Sequence, residues 1–222
     1  MMINKWIDKK TFISMLEDDM TIMVGGFLTC GTPEKLIDWI CESKVKDLTI
    51  ICNDAGYPNQ GVGKLIKHQK VKRLIATHIG TNPDAANLMY AGLLKIDLIP
   101  QGTFVDQIRA KGGGLGGILT PVGVHTIVEK GKQIIKLSDG KPYILAEAIG
   151  ADLALINAYH ADPLGSLRYS GSARNFNPVM ATAADKVIAL VEEKVDEIDP
   201  EVIITPHIFV DYLILGGKLN ER

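Results

Sequence analysis

The feature that most constrains this chain is an alternation of short apolar runs with segments of helical periodicity. TIMV (21–24), LTIIC (48–52), DLALINA (152–158) and VIALVE (187–192) place hydrophobic side chains on consecutive positions. Such strands need cover on both faces, as in a parallel sheet flanked by helices. The intervening segments supply that cover. In PEKLIDWICES (33–43), Leu36, Ile37, Ile40 and Cys41 fall on one face at helical spacing, and Phe12, Ile13 and Leu16 do the same behind a capping Asp8. PDAANLMYAGLL (83–94), QGTFVDQIRAK (101–111) and NPVMATAADK (177–186) read as helices. KRLIATHIG (72–80) contains a strand, and KIDLIP (95–100) and VIIT (202–205) read as further strands. IIKL and YILAEA form a hairpin around Asp139-Gly140. NDAGYPNQGVGK (53–64) is dense in turn residues and reads as a loop. The fold class predicted is α/β, an open, largely parallel sheet with flanking helices, in one domain over residues 1–222 with no internal repeat.

Charge and cysteine content narrow the function classes. A formal net charge of -2 lacks the basic footprint of a nucleic-acid or membrane-surface binder. No stretch reaches the ~20 apolar residues of a membrane helix. The opening MMINKWIDKK meets Asp8, Lys9 and Lys10 before an apolar core builds up, unlike a secretory signal. The 3 cysteines, Cys30, Cys41 and Cys52, include no C-x-x-C pair. The expectation is a cytoplasmic protein without a disulfide framework or zinc site.

Glycine is the outlier, at 22 residues, about a tenth of the chain against a usual ~7%. Gly25, Gly26 and Gly31 form one group in TIMVGGFLTCGTP; Gly112, Gly113, Gly114, Gly116 and Gly117 form another. Both are expected at the carboxyl ends of strands, where ligands of such sheets bind. In the first group, Thr32 is a candidate N-cap with Pro33 behind it and Glu34 in the first turn. Unpaired N–H groups there can meet an anion, or the loop is a tight turn without a ligand. The spacing is neither that of a P-loop, because Thr32 stands where Lys is needed, nor G-x-G-x-x-G. Five glycines in the second group exceed what ending a helix requires, so that loop packs on a ligand or another chain, or else is a mobile surface loop.

Asn53 and Asp54 follow a strand directly, and Gln101 follows KIDLIP. Each can orient a polar ligand or serve a turn or cap. The 5 histidines show no metal-ligand spacing, and His160 beside Asp162-Pro163 reads as part of a capped turn. There is no G-x-S-x-G elbow, and Cys30 has no base near it in sequence. The chain thus offers places to hold an anionic ligand without a convincing nucleophile, which suggests half of an active site.

DDMTIMVGGFLTCGTPEKLIDWI resembles the signature of the α subunits of family I CoA-transferases. The resemblance continues through LTIICNDAG, IGTNP, IPQGTFVDQIRAKGGGLGGILTPVGVHTIVEKGK and ARNFNP. It implies the CoA-transferase (isomerase/deaminase-like) fold and a β subunit, in an α2β2 assembly, that supplies the nucleophilic Glu from an S-E-N-G-type motif. No Glu here has that context, so no catalytic residue is expected in this chain. Coenzyme A thioesters and short-chain carboxylates are implied as substrates, with no permanently bound cofactor and no metal. The resemblance assigns Gly25, Gly26, Phe27, Leu28, Thr29, Cys30 and Gly31 to CoA contact. It assigns Asn53 and Gln101 to the substrate pocket, and Gly112, Gly113, Gly114, Gly116 and Gly117 to a loop closing on the β chain. Lys111 and His207 depart from the family pattern and bear on substrate preference.

Overall fold

A computed structural model describes residues 4–216 of the 222; the ends of the predicted domain, 1–3 and 217–222, lie outside them. Elements follow in the order α1 (Lys9–Ser14), β1 (Thr21–Val24), α2 (Glu34–Glu42), β2 (Leu48–Cys52), α3 (Val62–Lys67), β3 (Val71–Ala76), α4 (Pro83–Tyr90) and β4 (Lys95–Leu98). Then come α5 (Gln101–Gly112), β5 (Gly117–Thr120), β6 (Ile134–Lys136), β7 (Pro142–Glu147), β8 (Ala151–Ala161), β9 (Leu167–Arg168), α6 (Asn177–Met180), β10 (Ala184–Lys194) and β11 (Tyr212–Leu215). The main sheet runs β11-β10-β8-β1-β2-β3-β4, with β9 beside the end of β8. Every pairing along that order is parallel; only β9 runs antiparallel. A small antiparallel sheet, β5-β7-β6, stands apart from it.

The unbroken apolar runs are explained by cover on both faces. Ile22, Val24, Ile50 and Leu155 pack with Leu36, Ile37 and Leu65, under α1 to α4. The alternate positions Met23, Ile51 and Ile156 pack on the opposite face with Phe104 and Ile108 of α5 and Met180 of α6. Each fully buried aliphatic side chain contributes roughly 1.5–3 kcal/mol relative to exposure. Asp8 caps α1 as expected, accepting from the Thr11 N–H. The predicted hairpin also forms: β6 and β7 pair antiparallel, with Lys136 opposite Pro142.

Several local expectations give way to tertiary context. NPVMATAADK is helical only over Asn177–Met180, because Ala184 and Lys186 pair with β8 and so belong to β10. VIIT is not a strand. Val202 ends a 3-10 turn begun at Pro200, and only Thr205 bridges to Leu167. The true edge strand is β11, Tyr212–Leu215, which sequence reading passes over. The turn-rich stretch after β2 ends in a helix, α3, whose Gly63 admits the Tyr57 carbonyl: a Cβ there would lie 2.0 Å from that oxygen.

Only the first glycine group lies at the carboxyl ends of the strands. Helix α5 starts there and runs back across the sheet, so Gly112 ends at its amino edge, against Thr182 in the turn that enters β10. The expectation that both groups share one end is therefore corrected: a helix of 12 residues carries the second group to the far side.

Candidate functional site

At the carboxyl edge, four successive strands release loops side by side: 25–33 after β1, 53–61 after β2, 77–82 after β3 and 99–100 after β4. The first loop explains its own glycines. A Cβ on Gly25 would lie 1.9 Å from the Oδ1 of Asn177, and one on Gly31, at φ +71, would lie 2.7 Å from the Ala173 carbonyl oxygen. Gly26 has φ +112 and faces the Thr32 hydroxyl, 2.3 Å from where its Cβ would be. Backbone freedom here is consumed by close packing within the chain. Asn177, fully buried, accepts from the Asn157 N–H at 3.0 Å and donates to the carbonyls of Gly31 at 2.9 Å and Ala173 at 2.7 Å. Thr32 does not cap α2; its hydroxyl donates to the Leu28 carbonyl, and Pro33 takes the N-cap position without a side-chain bond.

What that packing presents is a tight hairpin. Phe27 and Cys30 exchange both backbone hydrogen bonds, at 3.0 and 2.9 Å, around Leu28 at φ +55 and Thr29. Phe27, Thr29 and Cys30 are exposed, and Leu28 is half-buried. The Cys30 Sγ lies 3.2 Å from the Ser172 hydroxyl, and Asn175 donates to the Cys30 carbonyl. The ARNFNP segment thus buttresses the loop from the far side of the sheet's edge.

The second loop repeats the first, a local repeat that corrects the expectation of none. Gly56, Tyr57 and Gly61 stand 30 residues after Gly26, Phe27 and Gly31. Tyr57 and Gln60 close a bridge like that of Phe27 and Cys30, and Gly56, Asn59 and Gly61 all have positive φ. The sequence signal was available as G-aromatic-x-x-x-G after two consecutive strands, but the unlike residues between hide it. Each module grips the other through a carboxylate. Glu34, in the first turn of α2, accepts from the Gly61 N–H at 2.8 Å, and Asp54 accepts from the Leu28 N–H at 2.8 Å. Lys64 locks the arrangement by pairing with Glu34 at 2.7 Å and Asp38 at 2.6 Å.

Asn53 follows β2 and Gln101 follows β4, with β3 between these two strands, which lie roughly 10 Å apart at normal spacing. Asn53 is only 3% exposed. Its Nδ2 donates to Asp54 at 2.9 Å, while the Thr77 hydroxyl donates to the Asn53 main-chain carbonyl at 2.8 Å and lies 3.2 Å from the side-chain Oδ1. One amide hydrogen remains without a partner among the described residues. Gln101 opens α5, is exposed, and does not cap the helix; Pro100 holds the N-cap position with no side-chain bond. Beside it, a groove of about 410 Å³ runs between α5 and β5, lined by Gly102, Thr103, Asp106, Ile118, Thr120 and Val122.

Other candidates fall away. Asp162 caps its own turn, accepting from the N–H groups of Leu164, Gly165 and Ser166, while His160 faces Glu193 at 3.9 Å. Among the described residues, no cluster of His, Cys, Asp or Glu could hold a metal ion. Burial raises the Cys41 thiol to about 11, with Asp38 adding to the effect, and burial holds Cys52 well above the usual thiol range. In the second glycine group, Gly112 and Gly117 pack against Thr182 and Ala146, whereas Gly114 and Gly116 meet nothing within 4 Å of a Cβ.

The family is shown by comparison with known proteins. The coenzyme A transferase family model matches residues 9–216, and the chain belongs to that family. It is 49% identical over 203 residues to the acetate CoA-transferase subunit alpha of Escherichia coli K12, covering 90% of this chain and 92% of that one. It is 46% identical over 215 residues to the acetoacetyl-CoA:acetate/butyrate CoA transferase alpha subunit of Clostridium acetobutylicum, covering 96% and 98% respectively. Among solved structures, glutaconate coenzyme A-transferase from Acidaminococcus fermentans superposes with a TM-score of 0.82 at 22% identity, covering 96% of this chain and 76% of that one. At that identity the superposition speaks for the fold alone.

Proposed function

We propose that this chain is the α subunit of a cytoplasmic short-chain acyl-CoA:carboxylate CoA-transferase, acting on acetyl, butyryl or acetoacetyl groups with a β subunit in an α2β2 assembly. The observation that carries this reading is near full-length identity of 49% and 46% to two relatives named as alpha subunits of such transferases. The partner's carboxylate attacks the acyl-CoA thioester and forms an acyl anhydride, releasing CoA thiolate. The thiolate returns to the partner's carbonyl and frees the carboxylate product, leaving an enzyme–CoA thioester. An acceptor carboxylate then reverses both steps.

In this reading the present chain positions and does not attack. The Phe27–Cys30 hairpin, with the Gly25, Gly26 and Gly31 packing behind it, forms the wall for CoA. Asn53 and Gln101 flank the acyl group; the unpartnered N–H of Asn53 is a donor for a developing oxyanion, a contact worth about 3 kcal/mol when well aimed. Gly112, Gly113, Gly114, Gly116 and Gly117 form a contact with a second chain at the opposite end of the sheet, since their edge is not the one that carries Asn53 and Gln101.

The test is acetyl-CoA formation from butyryl-CoA and acetate, with this chain alone and with a β chain of the acetate CoA-transferase type. Activity in the mixture only is expected. Activity of the isolated chain refutes the half-site reading, and tight butyryl-CoA binding without transfer in any mixture favours a CoA-ester sensor.

A further inference from the structure

We infer that Asp54 is a positioning residue of the transferase site: its carboxylate sets the direction of the Asn53 amide and latches the first hairpin onto the second. The inference rests on the reading of Asn53 as a pocket residue. Asp54 is 5% exposed, and no salt bridge to it occurs among the described residues. A buried carboxylate without a cation is costly and persists only where hydrogen bonds compensate it.

Its two oxygens divide the work. Oδ1 accepts from the Gly56 N–H at 2.8 Å, the ordinary turn contact of an Asp two residues back. A serine or asparagine could make that bond without the charge. Oδ2 reaches further, accepting from the Leu28 N–H at 2.8 Å and from the Asn53 Nδ2 at 2.9 Å. The first bond crosses between modules and holds a residue with φ +55 at the hairpin tip. The second fixes which end of the Asn53 amide faces Asp54 and therefore the direction of its free N–H.

A negative charge so close to a developing oxyanion would oppose it. Asp54 therefore contributes by holding its neighbours, and its charge is the cost of accepting three bonds at once. Asparagine keeps one acceptor oxygen and removes the charge, so it should preserve much of the function; alanine keeps neither acceptor.

The test uses the assembled enzyme, with butyryl-CoA and acetate as substrates. Asp54→Ala should lower kcat on the order of 100-fold while KM for butyryl-CoA stays within about threefold. Asp54→Asn should recover to within about tenfold of the parent. Asn53→Ala combined with Asp54→Ala should show a kcat no lower than Asn53→Ala alone, because the effect of Asp54 on turnover passes through Asn53, the latch to Leu28 being read separately by hydrogen exchange. Multiplicative losses in the double variant, or an unaffected Asp54→Ala enzyme, overturn the inference. A fully active Asn53→Ala enzyme instead defeats the pocket reading on which it rests. Hydrogen exchange on the isolated chain gives an answer independent of turnover. The Leu28 amide should exchange at least about tenfold faster in Asp54→Ala than in the parent, with Asp54→Asn near the parent, since its one acceptor oxygen serves Leu28 and Asn53 alike, and with Ile22 unchanged; an unprotected Leu28 amide in the parent overturns the latch.

Discussion

Replacing Gly25 by alanine tests whether the first glycine serves the fold or a ligand. The added methyl would lie 1.9 Å from the Asn177 Oδ1 and 2.8 Å from its Cγ, so the oxygen must retreat about 1.5 Å to reach ordinary contact. Gly25 has no positive φ, so the perturbation is steric. A shift of that size breaks the bond from the Asn157 N–H and misaligns the two that Nδ2 makes to Gly31 and Ala173. The stranded, buried Asn157 N–H costs ~1–3 kcal/mol, the two weakened bonds to the half-buried Gly31 and Ala173 carbonyls cost roughly 1 kcal/mol together, and overpacking adds ~1–3 kcal/mol. The expected destabilisation of Gly25→Ala is about 4 kcal/mol. Asn177→Ala alone strands the same groups and should cost about 3 kcal/mol. With no side chain left to collide with, the double variant should also cost about 3 kcal/mol, far below the additive ~7 kcal/mol. Urea unfolding of the four proteins, followed by tryptophan fluorescence and compared at equal m values, measures this coupling. Additive losses would refute the clash. A Gly25→Ala protein of parental stability that no longer binds butyryl-CoA would move the reason for Gly25 from packing to ligand approach.

Gln101→Ala should leave the urea midpoint unchanged, because Gln101 is exposed and does not cap α5. In the assembled enzyme it should lower kcat roughly 10- to 100-fold if its amide meets the acyl group, and parental turnover would remove it from the pocket. Of the 3 thiols, Cys30 alone should react rapidly with an aromatic disulfide reagent at pH 8. Cys41, raised to about 11 chiefly by burial, should react slowly, and fully buried Cys52 only on unfolding; rapid reaction of a second thiol would contradict the packing. Stability should decline above about pH 9. There the unfolded chain releases thiol protons that folded Cys41 and Cys52 retain, a loss of ~1.4 kcal/mol per pH unit from Cys52. The buried Tyr169 phenol, also raised by burial, adds to the decline above pH 10. Equilibrium unfolding of Cys52→Ala across pH 8–10 should show a shallower slope than the parent, and an identical slope would contradict this assignment.

Local physics made the architecture legible. Consecutive apolar residues in TIMV and LTIIC demanded cover on both faces, and the helical stripes of 33–43 and 101–111 provided it, because burial periodicity is written residue by residue. The Asp8 cap and the turn at Asp139-Gly140 were readable for the same reason: each involves groups a few positions apart. Errors fell where distant partners decide. The run at 202–205 has strand composition, yet two prolines and the competing β11 leave it as a loop. Residues 184–186 have helical neighbours, but pairing with β8 draws them into β10.

The site divides along the same line. Sequence alone established that backbone freedom concentrates at Gly25, Gly26 and Gly31, that Asn53 and Gln101 follow strands, and that the chain resembles CoA-transferase α subunits. Only the tertiary structure showed what fills the space beside those glycines. Asn177, more than a hundred residues away, needs the volume that a Cβ at position 25 would take. The same holds for Asp54, whose turn bond to Gly56 is local while its bond to Leu28 spans two modules. The far placement of the second glycine group likewise depends on the direction of α5 across the sheet. Propensity and periodicity act along the chain, whereas excluded volume and the pairing of buried polar groups act across space, and the latter decide which residues become a site.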